Sequence, residues 1–209
     1  MHGSRWLAIA VLSCSACAAP GAEQGTSSTA LALQAGEKKT STDPAVNVDA
    51  AAMADFKKRV DGYADLYKQL AKGDAMPRET ADPAKIDATK NKLAAKIQAA
   101  RANAKQGDIF APSVRPVFRR LLAPELKGED GRDTKAVLKD DAPAPGSVPF
   151  KVNAKYPQDQ PLPSVPANLL LTLPSLPAPL EYRIVGQHLL LLDTDADLVV
   201  DYILNVITT

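Results

Sequence analysis

The stretch from Leu180 to Thr209 constrains this chain most, because there the sequence spells out a tertiary unit rather than isolated elements. Leu180-Glu-Tyr-Arg-Ile-Val185 alternates apolar and polar for most of its length. Gly186-Gln187 follows, a Gly-first pair suited to a type II′ hairpin turn. His188-Leu-Leu-Leu-Leu-Asp193 is apolar on both pleat faces, which fits a central strand, and Thr194-Asp-Ala-Asp197 is rich in turn formers. Leu198 to Val206 is β-branched and long enough for a third strand, so a three-strand antiparallel meander is expected.

Turn lengths set the register. With a two-residue first turn and a four-residue second one, Ile184 faces Leu189, Tyr182 faces Leu191 and then Val200, and Leu189 also faces Tyr202. That row is the expected core face. The other face is expected to be mixed, with Arg183, Leu190 and Asp201 in one row and His188 between Val185 and Ile203. Arg183 and Asp201 then sit two strand spacings apart, within reach of a solvated ion pair across Leu190.

Upstream the periodicity changes to helical. Met53, Phe56, Val60, Tyr63, Tyr67 and Leu70 recur at intervals of three and four, which predicts an amphipathic helix from Asp49 to near Gly73. Asp82-Pro83 supplies an N-cap and a proline at the first helical position for a second helix. Its stripe is Ile86, Leu93, Ile97, Ala100 and Ala104, and it stops at Gly107. Residues 48–107 thus read as an antiparallel helical hairpin. Its flank of Lys85, Lys90, Lys92, Lys96, Arg101 and Lys105 reads as a solvated face, since the aromatics needed to stack nucleobases are missing around it.

Residues 108–209 carry the remainder. Val114 to Leu122 is a short helix with a wide apolar stripe, suited to covering the sheet, and Pro116 fits its first turn. Lys127 to Gly146 reads as a charged surface loop with irregular helix near Thr134 to Leu138. Val148 to Lys155 and Asn168 to Leu173 are candidate strands, and the proline runs 157–166 and 174–179 read as rigid connectors. The fold class expected is therefore α+β, a helical hairpin and a short helix packed on a small antiparallel C-terminal sheet.

The N-terminus bears on location. Arg5 precedes the apolar run Trp6 to Leu12, the pattern of an export signal over residues 1–16, too short to span a bilayer. Residues 17–47 mix Gly, Ser, Thr, Ala, Gln and Lys without periodicity, as a disordered tether does, with an r.m.s. reach of roughly 30 Å. Both cysteines lie at the signal end, in Leu12-Ser-Cys14-Ser-Ala-Cys17-Ala-Ala-Pro20. This run resembles the lipobox of bacterial lipoproteins, in which the cysteine after the cleavage point is lipidated. Cys17, preceded by Ser15-Ala16, matches the two nearer lipobox positions; Cys14, preceded by Ser13, is the alternative. The resemblance implies a lipid-anchored protein at the periplasmic side of the envelope, at the outer membrane. Cleavage after Ala16-Cys17-Ala18 is the competing reading and yields a soluble secreted chain.

Composition narrows the chemistry. The chain holds 25 Lys and Arg against 24 Asp and Glu, and loss of Arg5 with the signal leaves the mature part neutral, which argues against a nucleic-acid partner. Beyond the signal region His188 is the one histidine, so a Cys/His zinc site is excluded, and neither a G-x-S-x-G elbow nor a glycine-rich phosphate loop is present. Asp193, Asp195 and Asp197 form a D-x-D-x-D run that resembles the start of a calcium loop. Leu198 stands where that loop needs glycine and Leu204 where it needs glutamate, so an Asp-rich hairpin turn accounts for the run and the three are weak metal candidates. Glu125, Glu129, Asp130 and Asp133 are the remaining acid/base candidates, in a polar loop. No cofactor and no catalytic residue are expected. The function expected is a non-catalytic envelope module that binds an envelope protein or component through the helical hairpin or the mixed sheet face. A secreted small-ligand carrier, with its pocket behind Tyr182 and Tyr202, is the alternative.

Overall fold

A computed structural model describes residues 47–207. The signal, the tether and both lipidation candidates, Cys14 and Cys17, lie outside the described residues. The described chain is α+β, five α-helices and one three-stranded antiparallel sheet.

Helix α1 spans Val48–Leu70. Asn47 caps it, its side-chain oxygen accepting from the N–H groups of Asp49 and Ala50, both at 3.2 Å, and Asp49 adds negative charge at the positive end of the helix. Its buried stripe is Ala52, Phe56, Val60, Tyr63 and Ala64. Helix α2 spans Pro83–Ala100 and starts as the Asp82-Pro83 pair dictates, with the Asp82 carboxylate accepting from the N–H of Ala84 at 3.1 Å. It ends short of Gly107, because Arg101 leaves helical geometry at φ −113° and turns its side chain to Asn153 and to the carbonyl of Val200. Leu93, Ala94 and Ile97 are buried in the same core as Phe56, Val60 and Tyr63. Ile86, expected on that stripe, is 38% exposed and lines a groove beside the loop after α1.

Helix α3, Arg115–Leu122, buries Val117, Phe118 and Leu122, and the rings of Phe56, Phe110 and Phe118 meet at 5.1 to 5.5 Å. Such contacts add to the burial of the rings themselves. Helix α4 spans Gly128–Asp140, regular and longer than the irregular helix expected near Thr134 to Leu138 within a charged loop. Its buried positions are Gly131, Thr134 and Leu138, a helical spacing that carries one large apolar residue, so hydrophobic periodicity is silent there. Gly131 is required by contact: a Cβ on it would lie 2.3 Å from the backbone of Leu126. Helix α5, Ala167–Thr172, replaces one candidate strand. The other, 148–155, stays irregular apart from a single bridge between Lys155 and Leu198, since Asn153 breaks it at φ 61°.

The sheet runs β1-β2-β3, with β1 Leu180–Val185, β2 His188–Asp193 and β3 Leu198–Ile203. Gly186 at φ 60°, with Gln187 not in the positive region, makes the two-residue turn. The first register is as expected: Tyr182 opposes Leu191, Arg183 opposes Leu190 and Ile184 opposes Leu189. The second is not. A bulge between Leu191 and Leu192 inserts a residue in β3, so Leu189 opposes Ile203, Leu190 opposes Tyr202 and Leu191 opposes Asp201. Beyond the bulge every side chain of β3 changes face.

Three expectations are corrected by that slip. Tyr202 does not share a face with Leu189 but packs with Phe150, Leu190 and Val199 on the opposite side. The Arg183–Asp201 ion pair does not form; Arg183 pairs with Glu181 at 2.5 Å instead. The sheet's second face is not an open mixed surface, because Val148, Phe150 and Tyr156 cover Val185, Leu190, Leu192 and Val199 there.

Candidate functional site

The acidic hairpin loop comes first among the expected site residues. The Asp193 side chain accepts from the N–H groups of Asp195 at 3.0 Å and Ala196 at 2.9 Å, which closes the turn between β2 and β3. Its second oxygen accepts from the Tyr63 hydroxyl of α1 at 2.7 Å. One turn further along α1, the Tyr67 hydroxyl donates to Asp195 at 2.5 Å. Burial raises the pKa of the Tyr63 phenol, with Asp193 adding to the effect, and burial followed by the Asp195 hydrogen bond raises that of Tyr67. Both stay protonated donors. Asp193 is itself pushed above the usual carboxylate range by burial, partly offset by the Tyr63 bond.

Asp197 adopts φ 55° and is also raised by burial, against the attraction of Lys90 and Lys155. The three aspartates therefore turn to different partners. Among the described residues no three His, Cys, Asp or Glu side chains assemble into a group able to hold a metal ion. Asp193 and Asp195 form the seat on which α1 is docked.

A second buried carboxylate, which the sequence reading placed on a solvated face, carries more. Asp201 has no exposed surface and accepts from the N–H groups of Gly107 at 3.0 Å, Ile109 at 2.8 Å and Phe110 at 2.8 Å. The bulge makes this possible, since it turns Val200 and Asp201 both toward the helical side. Beside it Arg101 donates to the Asn153 side chain at 3.0 Å and to the Val200 carbonyl at 3.2 Å, with its guanidinium 5.1 Å from the centre of the Tyr63 ring. Asn153 returns a bond to the Arg101 carbonyl at 2.6 Å. A buried polar network of this kind holds loops and helices to the sheet, and every group in it is engaged.

The remaining acid/base candidates do not converge. Glu125 lies in a 3-10 turn, and Glu129, Asp130 and Asp133 stand on the exposed side of α4. The pocket expected behind Tyr182 and Tyr202 cannot form, because those rings lie on opposite faces and Phe118 packs against Tyr182 at 6.2 Å.

Of the surface grooves among the described residues, two bear on a binding role. One, of about 810 Å³, lies between the loop after α1 and the first turns of α2. Met76 and Ile86 are solvent-exposed there, among Arg78, Lys85, Lys90 and Lys92, with Lys92 held by Asp74 at 3.2 Å. The other, of about 480 Å³, runs beside β1 and is lined by Val165, Leu170, Leu173, Leu176, Tyr182 and Arg183. Among the described residues no helix is long and apolar enough to cross a membrane. The chain matches no protein-family model and gives no significant match to a curated protein or to a solved structure.

Proposed function

We propose that this chain is a non-catalytic exported module, carried at the periplasmic side of the outer membrane by lipid on Cys17 or, in its place, Cys14. It acts by binding an envelope protein or component through the helical hairpin formed by α1 and α2. The observation that carries this reading is the groove at the loop end of the hairpin, where Met76 and Ile86 present apolar surface inside a charged rim. The engaged state of Asp193, Asp201, Tyr63 and Arg101 supports it, since those groups hold the hairpin to the sheet and leave no poised acid, base or nucleophile among them.

A photo-crosslinking side chain placed at Met76 or Ile86 of the full chain in cells tests the reading. A discrete cross-linked product at these positions, and none at exposed Lys58 on α1, is the expected result. Equal labelling at all three positions, or none, overturns it. Mass measurement of the mature N-terminus is expected to show diacylglycerol on Cys17 or Cys14, and an unmodified start at Ala19 overturns the anchor.

A further inference from the structure

The outer edge of β1 concentrates unmet hydrogen-bonding capacity. Among the described residues two buried polar side-chain atoms lack a partner, the Tyr182 hydroxyl and Arg183 Nε, and they sit on consecutive residues of this one strand. Strand alternation sends them to opposite faces. Tyr182 packs toward the helices, and Arg183 stands in the row of Leu190. Both border the groove beside β1. A compact ligand on one face cannot serve both, whereas a strand laid along the edge presents alternate side chains to each face.

The backbone of the edge is also open. Val185 and His188 close a two-residue turn and exchange their hydrogen bonds, so Arg183 and Glu181 also direct theirs inward to β2. Tyr182 and Ile184 then turn their N–H and C=O groups outward, on the side of the sheet with no neighbouring strand. Only the N–H of Leu180 at that edge is taken, by the carbonyl of Pro177 at 3.0 Å.

We propose that β1 pairs with β1 of a second copy, antiparallel about a two-fold axis at Tyr182, joining two three-stranded sheets into one of six strands. Charge selects this occupant and this register. A two-fold axis at Glu181 sets Glu181 against its own copy, and one at Arg183 sets arginine against arginine. An axis at Tyr182 sets Glu181 against Arg183 twice, keeps the outward-facing Tyr182 groups in a hydrogen-bonded pair, and brings a carboxylate to the unpartnered Arg183 Nε. Apolar surface flanks the same edge: Leu170 of α5, 48% exposed, lines the groove with Val165, Leu173 and Leu176. A symmetric pairing brings Leu170 in from both copies. The pairing is independent of the groove at Met76 and Ile86.

Sedimentation of the full chain in detergent, over a range of protein concentrations, tests this. The unaltered chain is expected to dimerise, Glu181→Arg to weaken the dimer about tenfold or more by setting Arg against Arg, and Glu181→Arg combined with Arg183→Glu to restore it. A chain monomeric at every concentration, a reversal without effect, or a double reversal that fails to rescue overturns the proposal. So does a photo-crosslinker at Glu181 that captures only a different protein, whereas capture of a second copy supports it.

Discussion

The two outer edges of the sheet are finished in opposite ways. Along β3 the chain returns on itself: the N–H of Asn153 bonds to the carbonyl of Val199 at 2.8 Å, and the N–H of Val199 bonds to Ala154 at 2.9 Å. Arg101, Asn153 and Asp201 then bind that border to the end of α2 and to the segment after it. Along β1 nothing comparable occurs, and the two unpartnered buried atoms of the described chain lie there. Since buried polar groups are nearly always satisfied, one edge belongs to the fold and the other is held open for a neighbour.

The sharpest way to break this contrast is Asp201→Ala. It orphans the N–H groups of Gly107, Ile109 and Phe110 together, and a loss of about 4 kcal/mol in unfolding free energy is expected by denaturant titration. A loss under about 1 kcal/mol would mean that the 107–110 segment does not depend on β3. Asn153→Ala comes next. Asn tolerates the left-handed φ of 61° better than Ala does, and its two bonds with Arg101 disappear, so about 2 kcal/mol is expected. Asn153→Gly, which keeps the backbone at ease, recovers about half of that loss.

The smallest effect is at His188, at the end of β2 nearest the first turn. Its Nδ1 accepts from the N–H of Asn205 at 3.0 Å, and burial lowers its pKa below the ordinary value of about 6.5. The unfolded chain therefore takes up a proton at higher pH than the folded one. The stability contributed by neutral His188 is present above about pH 6.5 and is lost as the pH falls through the lowered folded value. Thermal unfolding followed from about pH 7.5 to about pH 5 is expected to show a steeper fall for the unaltered chain than for His188→Gln. Equal slopes would place His188 in a more hydrated setting.

How far the sequence could be read depended on the range of the physics. Local rules sufficed for the Asp82-Pro83 start of α2, for the Gly186-Gln187 turn and for the β1–β2 register, because each rests on residues a few positions apart. They failed at the bulge. Nothing near Val200 announces an extra residue; its cause is the demand of N–H groups some ninety positions upstream for the Asp201 carboxylate. Tyr63 and Tyr67 were legible as a helical seam, but their hydroxyls point at Asp193 and Asp195, so a stripe that looked apolar also carries the polar joint. Only the second half of helix α4 was legible, because glycine and threonine fill two of its three buried positions. Arg183, expected to reach across the sheet to Asp201, finds its partner in Glu181 of its own strand.

The clasp between Asp201 and the segment after α2 has a bearing on how such a chain comes into being. The carboxylate that gathers residues 107 to 110 belongs to β3, the last of the described elements, 91 to 94 positions later. Without that strand the sheet offers α1, α2 and the ring cluster of Phe56, Phe110 and Phe118 only the core face of β1 and β2. Contacts that span 91 to 94 positions close more slowly than the local turns of α1, α2 and the β1–β2 hairpin, so residues 107 to 110 are expected to order only together with β3.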